Sequence, residues 1–305
     1  MITEDAGFRV VAKRRRTPVI TELLLCPEGP PLRYQPGQYV LLGDPDSELV
    51  VRSYSVANAP RRDGLISLLV TRVPGGQLSG WVHDVLRSGD PVLLSGPYGS
   101  FTVTPGDRGP LLFLAGGSGL APARALAEAA LPDRSTPVVL FFSARTRRDL
   151  IDDRRFRGWQ RRHPQFCYLR TLTRADGPPP AGRLPAILGG WWGDLSGWRV
   201  YISGAPGFVT ACEAAARALG ARPGRVHTEE FFSEPRPWGA AQPAAATADL
   251  AASPRQRRRL VPGISRAGGL AVLSSRLAPS VAEVHEDLTV IGPDGEDSGR
   301  LGRRK

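Results

Sequence analysis

The chain has few cysteines, few histidines and no long apolar run. Its three cysteines, Cys26, Cys167 and Cys212, lie far apart and form no CxxC pair. Their spacing excludes a disulfide framework and a metal or iron–sulfur site built from this chain's own thiols. No stretch approaches the roughly 18 uncharged apolar residues of a membrane span, and the amino terminus has no apolar segment typical of a secretory signal. We therefore expect a cytoplasmic protein without a bound metal.

Lysine is also scarce, although the chain is basic. Lys+Arg number 40 against 29 Asp+Glu, a net charge of +11, and the only lysines are Lys13 and Lys305. Such a charge favours nucleic acid, an anionic cofactor or an acidic protein as partner. No aromatic interleaving or nucleic-acid motif accompanies the arginines, so we do not expect nucleic-acid binding. The run 13–16 could steer an acidic protein by long-range attraction, or it could be a solvated loop.

The apolar pattern changes near residue 105. Before it, short runs rich in Val, Leu and Tyr alternate with Gly, Pro, Asp and Asn, which is typical of antiparallel strands. After it, longer apolar runs alternate with Ala-rich helical segments, which is typical of a buried parallel sheet. The sequence predicts an α+β two-domain protein: an antiparallel β-barrel at 1–105 and an α/β open parallel-sheet domain at 106–234. Residues 235–305 are rich in Pro, Ala and Arg and predict a disordered tail.

Individual elements follow from the same periodicity. Predicted barrel strands are 8–13, 20–25, 39–42, 52–55, 65–71 and 91–95, with a helix at 78–86. In the second domain the predicted strands are 110–115, 136–143, 166–173, 199–203 and 226–230, with helices at 120–131 and 207–219.

The segment Arg52-Ser53-Tyr54-Ser55 places three useful functional groups at the end of a predicted strand. An arginine can clamp a pyrophosphate, a tyrosine ring can stack on an isoalloxazine, and a serine hydroxyl can hydrogen-bond flavin N5. Alternating Arg and Tyr also fit a solvated strand face. The segment therefore supports flavin binding only together with other motifs.

Three glycine-containing loops follow in chain order. Residues 74–81, PGGQLSGW, run into a predicted helix whose free N–H groups could bind a pyrophosphate, although a plain turn capped by Ser79 is an alternative. Residues 115–122, AGGSGLAP, join a strand to a helix and could receive a dinucleotide pyrophosphate. Residues 203–208, SGAPGF, form a similar loop, and two such loops can face one crevice of a parallel sheet.

The order of these motifs resembles the ferredoxin–NADP reductase-like flavoproteins, especially the reductase components of bacterial multicomponent oxygenases. The resemblance covers residues 5–233. RSYS is similar to the family's flavin motif, GGQLSGW to its flavin-pyrophosphate motif, GGSGLAP to its nicotinamide-dinucleotide loop, and EEFF at 229–232 to its Glu-x-Phe end. The resemblance implies that FAD accepts a hydride from NADH or NADPH. Electrons would then leave one at a time to a separate ferredoxin or oxygenase component.

The resemblance also implies roles for particular residues. The expected catalytic residues are Ser55, which would lie near flavin N5, Ser203 and Glu230. Expected FAD contacts are Arg52, Ser53, Tyr54, Ser55, Val70, Thr71, Gly75, Gly76, Gln77, Leu78, Ser79 and Phe232. Expected nicotinamide-dinucleotide contacts are Gly116, Gly117, Ser118, Gly119, Pro122, Arg145, Gly204 and Pro206.

Two departures from the family pattern are visible. Ser203 stands where the family usually has a cysteine, and Phe208 stands where methionine is common, so we expect slower or altered hydride transfer. Three cysteines cannot supply the four thiolates of a plant-type [2Fe–2S] cluster, so the acceptor should be separate. Arg145 and the arginines after it could hold the 2′-phosphate of NADP, yet such stretches also occur in solvated helix starts. NADH is the preferred expectation.

Two other functions remain open from the sequence. One is a stand-alone flavin reductase or diaphorase that needs no protein acceptor. The other is a degenerate flavin-binding module without turnover, which Ser203 and the unusual tail would suit. The joint presence of RSYS, GGQLS and GGSG favours an active NAD(P)H-dependent flavoprotein reductase.

Overall fold

The computed structural model describes residues 6–46, 49, 51–104, 106–174 and 182–232. The predicted tail at 235–305 lies outside these residues. The described part of the chain forms two sheets, one antiparallel and one parallel, which follow each other along the sequence.

The first sheet has six strands in the order β4-β3-β6-β1-β2-β5. The strands are β1 (Ala6–Arg15), β2 (Ile20–Pro27), β3 (Tyr39–Gly43), β4 (Arg52–Ser55), β5 (Ile66–Thr71) and β6 (Pro91–Tyr98). All neighbours in it pair antiparallel. An antiparallel bridge from Val56 to Leu68 joins the end of β4 to β5 and brings the two edges of the sheet together. This closure gives the predicted barrel.

Helix α1 (Gln77–Asp84) packs on the barrel core through Leu78 and Val82. A lysine completes its carboxyl end. Lys13 Nζ, from β1, donates to the carbonyl oxygens of His83 and Leu86, each at 2.8 Å. His83 lies in the last turn of α1 and Leu86 two residues beyond its end, so the ammonium group closes the carboxyl end of the helix and fixes α1 to the barrel.

The second sheet is parallel, with five strands in the order β11-β10-β7-β8-β9. Its strands are β7 (Leu111–Gly116), β8 (Val138–Ala144), β9 (Phe166–Leu172), β10 (Arg199–Gly204) and β11 (Val226–Glu230). The connecting helices are α2 (Leu120–Ala130), α3 (Asp153–Arg162), α4 (Leu184–Ile187) and α5 (Pro206–Ala218). Apolar clusters on both faces bury the sheet, which explains the continuous apolar runs of its strands.

The predicted fold class is confirmed: an antiparallel barrel precedes an open parallel sheet covered by helices. Helix α3 was not predicted, because its sequence DRRFRGWQRR is dominated by arginine. Only Phe156, Gly158 and Trp159 of it are buried. Among the described residues, no helix is long and apolar enough to cross a membrane.

Candidate functional site

Strand β4 carries the RSYS motif at one edge of the barrel sheet. Side chains alternate along a strand, so Arg52 and Tyr54 lie on one face and Ser53 and Ser55 on the other. Arg52 and Ser53 are exposed, Tyr54 is half-buried and Ser55 is buried. Burial raises the pKa of Tyr54 to about 12, against a smaller opposing effect of Arg52. The tyrosine is therefore a neutral, partly exposed ring beside a guanidinium group, which suits a flat anionic cofactor.

Ser55 links the two sheets. Its Oγ donates a hydrogen bond of 3.3 Å to Glu229 Oε2, on β11. Burial raises the pKa of Glu229 to about 7, and the Ser55 hydrogen bond only partly opposes this shift. Tyr39, directly opposite Ser55 on β3, has its pKa raised by burial and by the Glu229 charge. The Glu229 carboxyl group can thus hold or release a proton near neutral pH, within hydrogen-bond reach of the Ser55 hydroxyl.

Glu230, which the sequence assigns a catalytic role, is exposed, whereas the preceding Glu229 contacts Ser55. The geometry favours Glu229 for that role. Phe231 donates its backbone N–H to the Gly204 carbonyl at 2.8 Å, and the Phe232 side chain is 47% exposed. Phe232 therefore presents an aromatic surface just after the strand that carries Glu229.

The glycine turn before α1 leaves room for a ligand. Gly75 has a φ of 71° and no atom lies near the position of an added Cβ. Helix α1 begins at Gln77 without a side-chain cap. Ser79 instead accepts from the Val73 N–H at 3.1 Å and donates to the Gly76 carbonyl at 3.2 Å, so it shapes the turn. The first N–H groups of α1 can therefore meet an anion.

The other expected flavin contacts differ in accessibility. Val70 and Leu78 are buried in the barrel core, so only their backbone groups could meet a cofactor. Gln77 is exposed. The buried Thr71 Oγ1 has no hydrogen-bond partner among the described residues, and buried hydroxyls are normally satisfied. Thr71 is the last residue of β5, so its hydroxyl is a polar group at the end of that strand which the described residues leave without a partner.

Two glycines of the second glycine loop, Gly117 and Gly119, have different surroundings and different roles. Strand β7 ends at Gly116, a 3₁₀ turn spans Gly117–Gly119, and α2 follows. Gly117 has a φ of 58° with open space around it. A Cβ on Gly119, in contrast, would lie 2.2 Å from the Ser203 carbonyl oxygen. Gly117 thus faces space that a dinucleotide could fill, while Gly119 lets the loop pack against β10.

Ser203 is fully buried, and its Oγ donates to the Gly119 carbonyl at 2.7 Å. Its hydroxyl therefore joins the β10 end to the glycine loop. Phe208, in the first turn of α5, lies against both loops. A Cβ added to Gly116 would lie 3.3 Å from the Phe208 ring, and a Cβ added to Gly204 would lie 2.8 Å from it. The crevice between β7 and β10 is thus lined by an aromatic ring that the sequence analysis treated only as a departure.

The remaining expected contacts lie around these loops. Pro122 is buried in the first turn of α2, Ser118 is half-buried in the 3₁₀ turn, and Pro206 begins α5. Arg145 is exposed beyond β8 and pairs with Asp149 at 3.4 Å. The Arg174 N–H donates to the Arg145 carbonyl at 2.8 Å, which brings a second arginine to the same edge. The sequence analysis missed Arg174, because only strand pairing reveals that it adjoins Arg145.

The structure thus combines two sets of groups that fit two cofactors. The RSYS strand and the uncapped α1 fit a flavin with a pyrophosphate. Gly117, the start of α2 and the two arginines fit a second dinucleotide. Among the described residues, no cluster of three or more His, Cys, Asp or Glu could hold a metal ion.

Family comparisons agree with this division. The model of the oxidoreductase FAD-binding domain matches residues 20–103. The model of the oxidoreductase NAD-binding domain matches residues 113–214.

Similar proteins include the reductase component of naphthalene 1,2-dioxygenase/salicylate 5-hydroxylase systems from Ralstonia sp. It is 34% identical over 208 residues, which are 66% of this chain and 62% of that protein. The reductase subunit of an aromatic O-demethylase from Amycolatopsis sp. is 37% identical over 209 residues, again 66% of this chain and 62% of the relative. The matched region therefore spans less than two thirds of these relatives.

A solved structure supports the same relationship. The chain is similar to a cytochrome P450 reductase from Amycolatopsis with a TM-score of 0.70 and 33% identity, covering 76% of this chain and 71% of that one. The chain belongs to the ferredoxin–NADP reductase-like family of flavoprotein oxidoreductases, with an FAD-binding domain followed by a nicotinamide-dinucleotide-binding domain.

Proposed function

We propose that the protein is an NAD(P)H-dependent flavoprotein reductase that delivers electrons to a separate ferredoxin or oxygenase component. The observation that carries the proposal is the hydrogen bond between Ser55, in the flavin motif, and Glu229, at the carboxyl edge of the nucleotide-binding sheet. It brings the functional ends of the two domains to one place. The relatives, which are reductase components of oxygenase systems, support the same role.

The proposed domains are 1–105 for FAD and 106–234 for the nicotinamide nucleotide. Arg52, Tyr54 and the amino end of α1 would hold FAD. Gly117 and the amino end of α2 would hold the pyrophosphate of NADH or NADPH. Bound FAD would supply the hydride acceptance and single-electron release that side chains cannot. Ser55 would hold a proton at its Oγ, and Glu229 would exchange it near pH 7, where its carboxyl group titrates.

The choice of nucleotide depends on the edge beyond β8 and β9. Two exposed arginines, Arg145 and Arg174, adjoin there, and a 2′-phosphate could contact both. Arg145 is already paired with Asp149, which reduces the positive charge available to a phosphate. NADH remains the proposed donor, with NADPH as the second candidate.

The proposal also names an electron acceptor and a cellular location. The proposed acceptor is a separate ferredoxin or oxygenase component, because the relatives are reductase components of oxygenase systems. A cytoplasmic location is proposed because NAD(P)H is available there. Cell fractionation with the protein recovered outside the cytosolic fraction would contradict the location.

The decisive experiment is anaerobic stopped-flow absorbance of the FAD-loaded protein mixed with NADH or NADPH. We expect the flavin band near ~450 nm to bleach, since hydride acceptance is the cofactor's chemistry. Ser55→Ala should bleach about tenfold or more slowly with its FAD content unchanged, because a positioned proton-transfer group contributes at least that much. Bound FAD without bleaching by either nucleotide would favour the non-catalytic module instead.

The acceptor is tested separately with the same preparation. Free flavin and small dyes should be reduced slowly compared with a ferredoxin, if the protein is a reductase component. Equal turnover with free flavin and with every ferredoxin tried would favour a stand-alone flavin reductase.

A further inference from the structure

Arg124, on α2, is a buried charge that joins the two domains. Its side chain is fully buried, and its guanidinium group makes four contacts. Nε donates to the Ala57 carbonyl. Nη2 donates to Glu22 Oε1 and to Ser67 Oγ, and both of these bonds are 2.8 Å long. Nη1 donates to Asp152 Oδ2. Three of these partners belong to the FAD-binding domain and the fourth to the nucleotide-binding domain that carries Arg124 itself.

The buried charges compensate each other. Arg16, at the end of β1, contacts Glu22 Oε2 at 3.4 Å and Asp152 Oδ1, so two arginines face two carboxylates. Burial alone would raise the pKa of Glu22, but Arg124 and the Ser67 hydroxyl lower it below its ordinary value. Asp152 has a φ of 57°, the only positive φ among the described residues other than glycine. The network therefore favours the ionised form of Glu22, and its other carboxylate residue, Asp152, adopts a backbone conformation that residues other than glycine rarely take.

The same helix makes a second contact one turn later. Glu128 Oε2 accepts the Ala59 N–H at 3.0 Å, and Glu128 Oε1 pairs with Arg155 at 2.9 Å. With Ser55 bound to Glu229, three alternate positions of one segment, 55, 57 and 59, hydrogen-bond to the nucleotide-binding domain. This segment starts at the last residue of the RSYS motif. Its hydrogen bonds therefore fix the position of strand β4, which carries that motif, relative to the nucleotide-binding domain and its helix α2.

We propose that Arg124 is a positioning residue, which fixes the glycine loop that receives the nicotinamide dinucleotide relative to the strand that holds the flavin. The inference rests on the proposed function. It goes beyond that function because Arg124 touches neither proposed cofactor site and acts only through the elements that carry them.

The position of Arg124 explains how such an effect would reach the reaction. Helix α2 starts at Leu120, directly after the Gly117–Gly119 turn, so Arg124 lies about one turn beyond the loop. A shift of α2 along the barrel would carry the loop with it. Reacting atoms must approach within about 3.5 Å, and a misplacement of about 1 Å can cost roughly 100-fold in rate. A planar guanidinium with several fixed donors resists such a shift better than apolar contacts.

The test compares variants that leave no carboxylate of the network short of positive charge. Removing Arg124 alone would leave Glu22 and Asp152 with only Arg16 between them, so the main variant is Arg124→Met combined with Glu22→Gln and Asp152→Asn. The one charge that remains is on Arg16, whose side chain is 25% exposed and can be hydrated. Replacing a whole buried network often leaves stability unchanged. Arg124→Lys keeps the positive charge but lacks the planar guanidinium group with its several donors. This variant replaces the triple variant in the test if the triple variant fails to fold. Arg217→Ala, which removes an exposed pair with Glu213 on α5, is the matched control.

The first measurement, of reduction rate and nucleotide affinity, is made on FAD-loaded protein. Stopped-flow reduction at saturating NADH, expressed per bound flavin, should slow about tenfold or more in the triple variant and less in Arg124→Lys. The nucleotide Kd should change less than about threefold, because the loop itself is intact. A merely structural role would lower the folded fraction without changing the rate per bound flavin.

The second measurement does not depend on activity. Spin labels at Val11→Cys, on β1, and Thr210→Cys, on α5, report the distance between the domains in a Cys26→Ser background. Val11 and Thr210 are exposed, whereas Cys167 and Cys212 are buried. The distance distribution should broaden about twofold in the triple variant and stay unchanged in Arg217→Ala.

The outcomes separate this inference from the proposed function. If the unmodified protein is reduced by NAD(P)H but both network variants react equally fast with unbroadened distances, Arg124 has no positioning role. If the unmodified protein with bound FAD is not reduced at all, the proposed function fails. The distance distributions then still decide whether Arg124 holds the two domains in register.

Discussion

At the residue scale, two adjacent glutamates illustrate what determines a site. Glu229 and Glu230 are chemically identical, and the sequence assigns the catalytic role to Glu230. The pairing of β11 with β10 places Glu229 opposite Ser203 and Glu230 opposite Gly204. Because side chains alternate along a strand, this register directs only one of the two towards Ser55. The Glu-x-Phe pattern fits residues 229–231 and residues 230–232 equally well, so the sequence alone cannot distinguish the two glutamates.

The carboxyl group of Glu229 predicts a pH-dependent stability of the apoprotein. Its folded-state pKa of about 7 exceeds the ordinary 4.5, so its contribution is complete below pH 4.5 and is lost as the pH rises through about 7. Between pH 5 and pH 8 the native protein should lose about 2 kcal/mol more than Glu229→Gln, allowing for partial solvent exposure. Urea unfolding at both pH values measures the difference. Glu230→Gln is the control, and an equal pH dependence in native protein and Glu229→Gln would contradict the prediction.

The neighbouring glycines of the nucleotide loop give a second prediction. Gly117→Ala should cost about 1 kcal/mol of stability, since it only forces an alanine into a left-handed conformation in open space. Gly119→Ala should cost about 3 kcal/mol or more, because its Cβ would meet the β10 backbone. Chemical denaturation measures both values. Equal losses in the two variants would show that the loop does not pack as described.

At the element scale, the sequence predicted the elements that local patterns determine. All eleven strands and the helices α1, α2 and α5 were predicted close to their bounds, since period-2 or helical apolar spacing and glycine loops are local signals. Helix α3 was missed because its few buried side chains are set among arginines that pair with Asp153 and Glu128. The buried contacts of Arg124 could not be predicted from the sequence, because its partners at positions 22, 57 and 152 are distant in the chain.

Ser203 connects two elements, and its substitution tests that connection. Ser203→Ala removes a buried hydrogen bond to the Gly119 carbonyl, so we expect a loss of about 1–2 kcal/mol of stability. The loop should also loosen, which would weaken nucleotide binding more than it slows hydride transfer. Calorimetric unfolding and nucleotide titration measure the two effects. Unchanged stability with a slower reduction rate would indicate that Ser203 acts on the nicotinamide directly.

At the scale of the whole molecule, the two domains meet through polar as well as apolar groups. The apolar cluster beneath α2 includes Ile20 and Leu69 from the barrel, so the domains share a core. Apolar contact of this kind tolerates sliding, whereas the Arg124 network does not. The shared core and the network both connect the two domains, and both depend on contacts between residues far apart in sequence.

Removal of the tail tests how much of the chain the reductase fold requires. The family models end at residue 214, and the last described strand ends at Glu230. A protein ending at Ser233 should therefore retain its FAD and its NADH-dependent reduction within about twofold of the full chain. Flavin content and stopped-flow reduction measure this. Release of FAD on truncation would assign residues 234–305 to the flavin-binding fold.

The lysine that completes α1 has a practical consequence for finding the proposed electron acceptor. The only lysine side chains in the sequence that amine-reactive cross-linkers could attach to are Lys13 and Lys305. At Lys13 they would consume the ammonium that two helix carbonyls already share, and so disturb the barrel they are meant to probe. Carbodiimide coupling through surface carboxylates, or photoreactive groups placed near Phe232, would map the partner's footprint without that damage.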